Sequence, residues 1–163
     1  MAKEVVSIDD RDFLRLLKEL PAALVSKRGG PVLVGLRRGG NAMRKAWRAE
    51  IDRLIAEPNI GGTYYSTGTY AKSIKVIRMR NPKRVGANEG VRVTVPGRAV
   101  YPNGTKVAMV AGVLEVGTEH MEAKAPVRKA FDSNKEAVLR SILTGIDDGI
   151  KRAIKKLDKT AKS

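Results

Sequence analysis

The chain has 163 residues, a length that suits one domain or one domain with a long extension. Cysteine is absent and His120 is the single histidine, so disulfides, thiolate metal centres and cysteine nucleophiles are excluded and few hydrolase arrangements remain. With 32 Lys and Arg against 17 Asp and Glu, the net charge of +15 indicates a partner rich in negative charge, either nucleic acid or an acidic protein.

The positive charge is concentrated in the middle of the chain. Residues 58–98 hold eight basic residues and one acidic residue, whereas both flanking regions are closer to balance. No apolar run reaches the roughly 18 residues of a membrane span, and the first ten residues lack the pattern of a signal peptide. We therefore expect a soluble protein without a membrane partner, made in the cytoplasm.

Two helices are predicted in the first third of the chain. Apolar residues at helical spacing predict a short helix between residues 7 and 20, inside an N-terminal extension of residues 1–30. Pro31 suits the first position of the next helix, residues 31–57, because its missing amide proton would have no partner there. One apolar stripe runs along this second helix, and small residues such as Gly35 predict that its first half packs against another backbone.

Two strands are predicted in the basic region. Residues 73–80 and 91–95 alternate apolar side chains with basic or polar ones, as half-buried strands do. The glycine and proline residues between 96 and 105 predict an exposed turn. For residues 106–116 the periodicity leaves a third strand and a short helix open.

A long helix is predicted near the C-terminus. A stripe of apolar residues spans residues 134–157, preceded by Asp132 or Ser133 as the cap, and the end of this helix is basic. Together the elements predict an α+β fold with a small antiparallel sheet packed by two long helices. The N-terminal helical extension of residues 1–30 would precede a single domain that spans residues 31–163.

Residues 67–73 invite comparison with a phosphate-binding loop, since they combine glycine, lysine and serine before an ordered element. The loop requires glycine directly before the lysine, and Ala71 stands there instead. We therefore interpret the segment as a capped helical turn, in which Thr67 or Thr69 starts the turn and the chain then enters the first strand at Ile74.

Four titratable residues fall within eight positions of one another: Glu115, Glu119, His120 and Glu122. The helical zinc motif requires two histidines, and closeness in sequence does not imply convergence in space. We interpret these carboxylates as solvated or paired with Lys and Arg, with a small hydrolase using His120 or Glu115 as the weaker alternative. No metal site and no cofactor are predicted.

Three tyrosines flank the basic strand: Tyr64, Tyr65 and Tyr70. They could stack on bases while the neighbouring cations hold phosphate. Alternatively, the tyrosines close the core and the cations form the solvated face of an edge strand. The sequence leaves both interpretations open.

Three segments, taken in order, resemble one protein family. They are LRRGGNAMRKAWRAEI (residues 36–51), Thr-Gly-x-x-x-Lys-Ser-Ile (67–74), and Leu-Glu-Val-Gly-Thr (114–118) followed by Ala-Lys-Ala-Pro-Val-Arg-Lys-Ala (123–130) and a long terminal helix. In order and spacing they resemble the tail-completion, or head-tail joining, family of long-tailed bacteriophages. The likeness covers about residues 31–157.

The resemblance implies a structural virion protein and not an enzyme: one subunit of a ring, a hexamer in the family, at the head-tail junction, made in the host cytoplasm. Its neighbours would be the head-closure ring on one side and the tail terminator or tail tube on the other. The resemblance leaves open the tail-completion and the tail-terminator position. The residues implied for subunit contacts are Thr67, Gly68, Glu115, Gly117, Thr118, Pro126 and Arg128. Gly117 and Thr118 suit a tight turn that would aim Glu115 and the following loop at a neighbouring subunit.

A ring lumen lined by cations would contact DNA phosphates without reading the base sequence. The residues expected to face either DNA or an acidic partner are Lys72, Lys75, Arg78, Arg80 and Arg92. The alternative from a different class is a free nucleic-acid-binding module without sequence preference, favoured by the net charge and the tyrosine-flanked basic strand.

Overall fold

The computed structural model describes residues 30–56, 68–85 and 89–161. The elements, in chain order, are helix α1 (Pro31–Ala56), the short helix α2 (Thr69–Ser73), strand β1 (Lys75–Arg78), a 3-10 helix (Pro82–Val85), strand β2 (Val91–Thr94), helix α3 (Val107–Val116) and helix α4 (Pro126–Ala161). The strands form an antiparallel hairpin that packs with the long helices, so the predicted α+β class is confirmed. The helix predicted between residues 7 and 20 lies outside the described residues.

Helices α1 and α4 form the most extensive contact between elements, and glycines let them approach closely. A Cβ at Gly35 would lie 2.5 Å from the Ile142 carbonyl oxygen. Gly39 also lies against Ile142, and Gly149 lies against Pro31 at the end of the contact. Residue numbers rise along α1 as they fall along α4, so the helices are antiparallel. The predicted packing of the first half of α1 against another backbone is confirmed.

The hairpin rests on a neighbouring face of α1. In its register Val76 pairs with Val93, and Arg78 pairs with Val91. A Cβ at Gly40 would meet the side chains of Val76 and Val91, so the apolar face of the hairpin is the one that contacts α1. Both strands have four residues and lie inside the ranges that the alternation predicted.

The hydrophobic core lies where the second half of α1 meets α2, α3 and the first turns of α4. Its buried members are Trp47, Ile51, Tyr70, Ile74, Val107 and Ala130. Ile74 and Val107 retain no exposed surface. The apolar stripe predicted for α1 is confirmed at Trp47 and Ile51, which supply the α1 side of this core.

The predicted start of the last helix is wrong. Helix α4 begins at Pro126 rather than near residue 134, so Asp132 and Ser133 lie inside it and neither caps it. Its 36 residues give a length of about 54 Å. The segment left open between strand and helix forms α3, which begins at Val107.

Candidate interface sites

One carboxylate holds the connection from α3 to α4. The Glu115 side chain accepts hydrogen bonds from the backbone N–H of Val127 (2.8 Å) and of Arg128 (3.1 Å). These amides belong to the first turn of α4, where backbone donors have no partner within the helix and where the helix dipole favours negative charge. Glu115 is therefore the N-terminal cap of α4, supplied by the preceding helix.

A tight turn follows Glu115. Gly117 ends α3 with a φ of 77°, and its amide donates to the Val113 carbonyl at 2.8 Å. A Cβ on Gly117 would lie 2.7 Å from the Met121 carbonyl oxygen, so both the backbone angle and the available space require glycine. Thr118 then pairs with Met121 across the turn. The tight turn predicted at Gly117 and Thr118 is confirmed, but the Glu115 side chain is directed onto α4 and not at a neighbouring subunit.

The residues implied for subunit contacts differ in exposure. Thr118 and Arg128 are exposed. Pro126 is fully buried at the first position of α4, and the Glu115 carboxylate bonds within the subunit. Of these four residues, Thr118 and Arg128 present their side chains to the surface.

The segment before the hairpin is the predicted helical turn. Gly68 has a φ of 65° and directly precedes α2, which begins at Thr69. The Ser73 hydroxyl donates to the Thr69 carbonyl oxygen at 2.7 Å, and Ile74 then leads into β1. The start at Thr69 is confirmed, but the N-cap position is Gly68 and no side chain caps the helix there, so the prediction of Thr69 as the cap is wrong. Thr67 lies outside the described residues.

Helix α3 presents an uncharged face at the surface. Its exposed residues are Ala108, Met109, Gly112 and Val116, which lie on one side of the helix because Gly112 and Val116 follow the adjacent pair Ala108 and Met109 at steps of three or four positions. Met109 is 66% exposed and Val116 is 74% exposed. The one charged residue of α3 is Glu115, which is directed to α4. This apolar face belongs to a chain that is otherwise strongly basic.

Two side chains of α1 fix α2 against the core. Trp47 Nε1 donates to the Tyr70 hydroxyl at 3.2 Å, with the two rings edge to face. Arg48 donates through Nε to the Ala71 carbonyl at 2.8 Å and through Nη2 to the Ile74 carbonyl at 3.4 Å. Sequence patterns alone do not identify this role of Arg48, because a helix register does not show which neighbouring carbonyls lack a partner.

Tyr70 is a core residue and not a platform for bases. Its side chain is buried, and burial raises its pKa from 10.0 to about 12, although the hydrogen bond from Trp47 opposes part of the shift. For Tyr70, therefore, the interpretation that the tyrosines close the core is confirmed. Tyr64 and Tyr65 lie outside the described residues.

The face of the hairpin directed away from α1 is basic. Lys75 pairs with Thr94, and Ile77 pairs with Arg92, so these four residues share that face. Lys75 and Arg92 are both exposed. From residue 75 to residue 94 the chain holds six basic residues and one acidic residue.

Two open cavities lie at opposite ends of β1. The tip cavity, of about 760 Å³, is lined by four basic side chains and one acidic one: Arg78, Arg80, Lys83, Arg84 and Glu89. The base cavity, of about 400 Å³, is lined by three basic side chains: Lys72, Lys75 and Arg98. The basic character of the hairpin therefore extends from one end of the strand to the other.

All five residues expected to face DNA or an acidic partner are exposed: Lys72, Lys75, Arg78, Arg80 and Arg92. The structure divides them among the base cavity, the outer face and the tip cavity. Sequence reasoning missed three further cations that line these cavities: Lys83, Arg84 and Arg98. The feature of the sequence that could have identified them is the excess of eight basic residues over one acidic residue in residues 58–98.

The titratable cluster of the α3–α4 connection does not converge. Glu119, His120 and Glu122 are exposed on the turn, and Glu115 caps α4. Within residues 30–56, 68–85 and 89–161, no group of three His, Asp or Glu side chains is placed to hold a metal ion. The helices of the same ranges include none with the length and apolar character to cross a bilayer.

The fold and these sites define an α+β protein with an uncharged helix face on α3 and a strongly basic hairpin. No protein-family model matches the chain. No curated protein sequence and no solved structure matches it at a significant level.

Proposed function

We propose that the chain is a structural subunit of the neck of a long-tailed bacteriophage, in the ring that completes the tail and joins it to the head. The observation that carries the proposal is the exposed, uncharged face of α3. Its side chains Met109 and Val116 are largely exposed in the isolated subunit. Contiguous apolar surface of this kind is typical of protein contacts.

The partner at this face is a second copy of the chain. Copies that each carry a net charge of +15 repel one another, so self-association requires a contact surface that is free of cations and partly apolar. The exposed face of α3 has these properties. Further exposed apolar side chains, Phe131 and Leu139 on α4, lie on one side of that helix with Lys135 between them. They offer a second surface, as a ring requires when each subunit contacts two neighbours differently, and this surface would need an acidic partner residue opposite Lys135.

The segments that carry the family resemblance also hold one another in place. Arg48 of the first segment bonds to Ala71 of the second, and Glu115 of the third segment caps the helix that begins at Pro126. The first segment is therefore in contact with the second, and the two parts of the third segment are in contact with each other. In the proposal the ring is a hexamer between the head-closure ring and the tail tube or tail terminator, and the subunit catalyses no reaction.

Cryo-electron microscopy of virions whose genome encodes the chain tests the proposal. We expect density for a ring of this fold at the head-tail junction, and particles that lack the protein should accumulate as filled heads without attached tails. A virion with no copy at the junction would refute the proposal. The free nucleic-acid-binding module predicts that outcome instead.

The contact surface has its own test. The double variant M109E/V116E places two carboxylates on the exposed face of α3 and should prevent ring formation in native mass spectrometry while the circular dichroism of the subunit is unchanged. The matched control A137E/T144E adds the same charge at exposed positions of α4. Equal assembly of both variants would contradict the assignment of the α3 face.

A further inference from the structure

We infer that the tip cavity and the outer face of the hairpin bind the phosphodiester backbone of a nucleic acid, and that Glu89 occupies part of this site in the free protein. The inference goes beyond the proposed function, because a neck ring can join head and tail through protein contacts alone. It is carried by the lining of the tip cavity, by one ion pair, and by the spacing of the cations along the hairpin.

The cations of the tip cavity come from the hairpin and from the 3-10 helix. Lys83 and Arg84 lie on the 3-10 helix that begins at Pro82, and the Arg84 amide donates to the Asn81 carbonyl at 3.3 Å. Both side chains are exposed, and they line the cavity together with two further arginines of the hairpin. Four positive side chains around one open cavity of about 760 Å³ favour an anionic occupant.

Glu89 already supplies such an anion. Arg78 donates through Nη2 to Oε1 of Glu89 at 2.6 Å and through Nε to Oε2 at 3.1 Å. This two-point arrangement is the one by which a guanidinium also binds two oxygens of a phosphate. The side chains are 38% and 24% exposed, so solvent and a ligand can reach the pair. An incoming phosphate can therefore replace the carboxylate, and Glu89 lowers the affinity of the site.

The cations are spread as a polymer of phosphates requires. Lys75 and Arg78 lie at the two ends of β1, about 10 Å apart along the strand, with Lys75 on the outer face and Arg78 on the opposite face at the tip. Arg92 is exposed on the outer face of the hairpin, and the base cavity adds Lys72 and Arg98 beyond Lys75. A small free anion would occupy one end of this arrangement. Duplex DNA carries a negative charge about every 1.7 Å of its axis, so one duplex can contact cations at both ends.

The lining favours a nucleic acid over an acidic protein. Protein interfaces have centres that are depleted in charge and rich in apolar contacts, whereas protein–DNA interfaces are polar and strongly positive. The tip cavity has Met79 and Pro82 as its apolar lining residues, and the other six lining residues are polar or charged. Because Tyr70 is buried, it offers no stacking surface, and we expect contacts to the backbone without base preference.

Fluorescence anisotropy of the full chain with a short labelled DNA duplex, measured over a salt series, tests the inference. The variant K83A/R84A removes two cations of the cavity, and K135A/R140A removes one lysine and one arginine from exposed positions of α4. Each phosphate contact is worth roughly eightfold in affinity at 0.1 M relative to 1 M salt. K83A/R84A should therefore bind at least tenfold more weakly and reduce the salt slope by about 2, while the α4 variant changes both quantities less.

The variant E89Q should change the DNA affinity in the opposite direction. It frees Arg78 without changing side-chain size, so it should tighten binding by up to about eightfold and raise the salt slope by about 1, whereas E119Q on the exposed turn should not. Similar effects on two duplexes of unrelated sequence, and on duplex RNA, support recognition of the backbone. Three results would overturn the inference: equal losses in K83A/R84A and K135A/R140A, no gain in E89Q, or equally tight binding of polyglutamate through the same lysine and arginine.

Discussion

Removal of the Glu115 carboxylate should destabilise the subunit, because this side chain acts inside the fold. An N-terminal cap contributes about 0.5–2 kcal/mol, and a negative charge at the helix dipole adds about 0.3–1 kcal/mol. Glu115 makes two hydrogen bonds to α4, of 2.8 and 3.1 Å. E115A should therefore lower the free energy of unfolding by roughly 2 kcal/mol. E115Q keeps one acceptor oxygen and loses the charge, so we expect roughly half of that loss.

Urea unfolding followed by far-ultraviolet circular dichroism measures this effect. The control is E122A, which removes an exposed glutamate from the same connection. We expect the control to change stability by less than about 0.5 kcal/mol, and E115A to lower the melting temperature by about 4–8 °C. The loss should be the same at every protein concentration, because the contact lies within one subunit.

Equal stability of E115A and E122A would refute the reasoning. It would mean that water accepts hydrogen bonds from the amides of Val127 and Arg128 as favourably as the Glu115 carboxylate does. A loss that appears only at concentrations at which the chain assembles would place the carboxylate of Glu115 at a subunit contact instead.

The glycines of α1 and α3 should respond in opposite directions in thermal unfolding of the unassembled subunit. G35A should lose about 1–3 kcal/mol, because its Cβ would meet backbone atoms of α4. G112A should gain about 0.5–1 kcal/mol, because within the subunit nothing lies within 4 Å of its added Cβ. A loss in G112A would contradict this contrast. R48K keeps the charge but replaces the planar guanidinium, whose Nε and Nη2 reach the Ala71 and Ile74 carbonyls separately, with a single nitrogen. We therefore expect a loss of about 1–2 kcal/mol in urea unfolding, and wild-type stability in this variant would disprove the role. Tyr70 keeps its proton in the folded state up to a pKa of about 12, whereas the unfolded chain releases it near 10.0. The wild type should therefore lose stability between these pH values more steeply than Y70F, and parallel curves would contradict the burial argument.

Much of the fold follows from local patterns. Residues 31–57 and the two alternating segments could be predicted because helix and strand periods are properties of neighbouring residues. The start of α4 could not, because its cap is Glu115, which precedes Pro126 in sequence and reaches the helix only after the turn at Gly117 has formed. The nearer candidates Asp132 and Ser133 satisfied the local rule and lie inside the helix.

The sequence could predict which kinds of residue form the candidate sites, but not how those residues are arranged in space. The excess of basic residues identified the hairpin, but it could not show that Lys83 and Arg84 line one cavity with Arg78. In the same way, the apolar residues of α3 were visible in the sequence, whereas the side of the helix that remains exposed depends on how the core forms around Val107. These properties arise from contacts between elements that lie far apart in the chain.

The contact between Gly149 and Pro31 ends the pairing of α1 with α4 and so divides α4 into two parts. Pro31 lies beside Gly149, so the final turns up to Ala161, about 18 Å of helix, continue past the last residue that α1 can supply. Amide protons before Gly149 should exchange with solvent slowly, at rates set by opening of the paired helices, and those after it, beyond the α1 residues that pair with α4, should exchange faster. A ligand or neighbouring subunit that engages the distal turns would be detectable as slower exchange confined to that part.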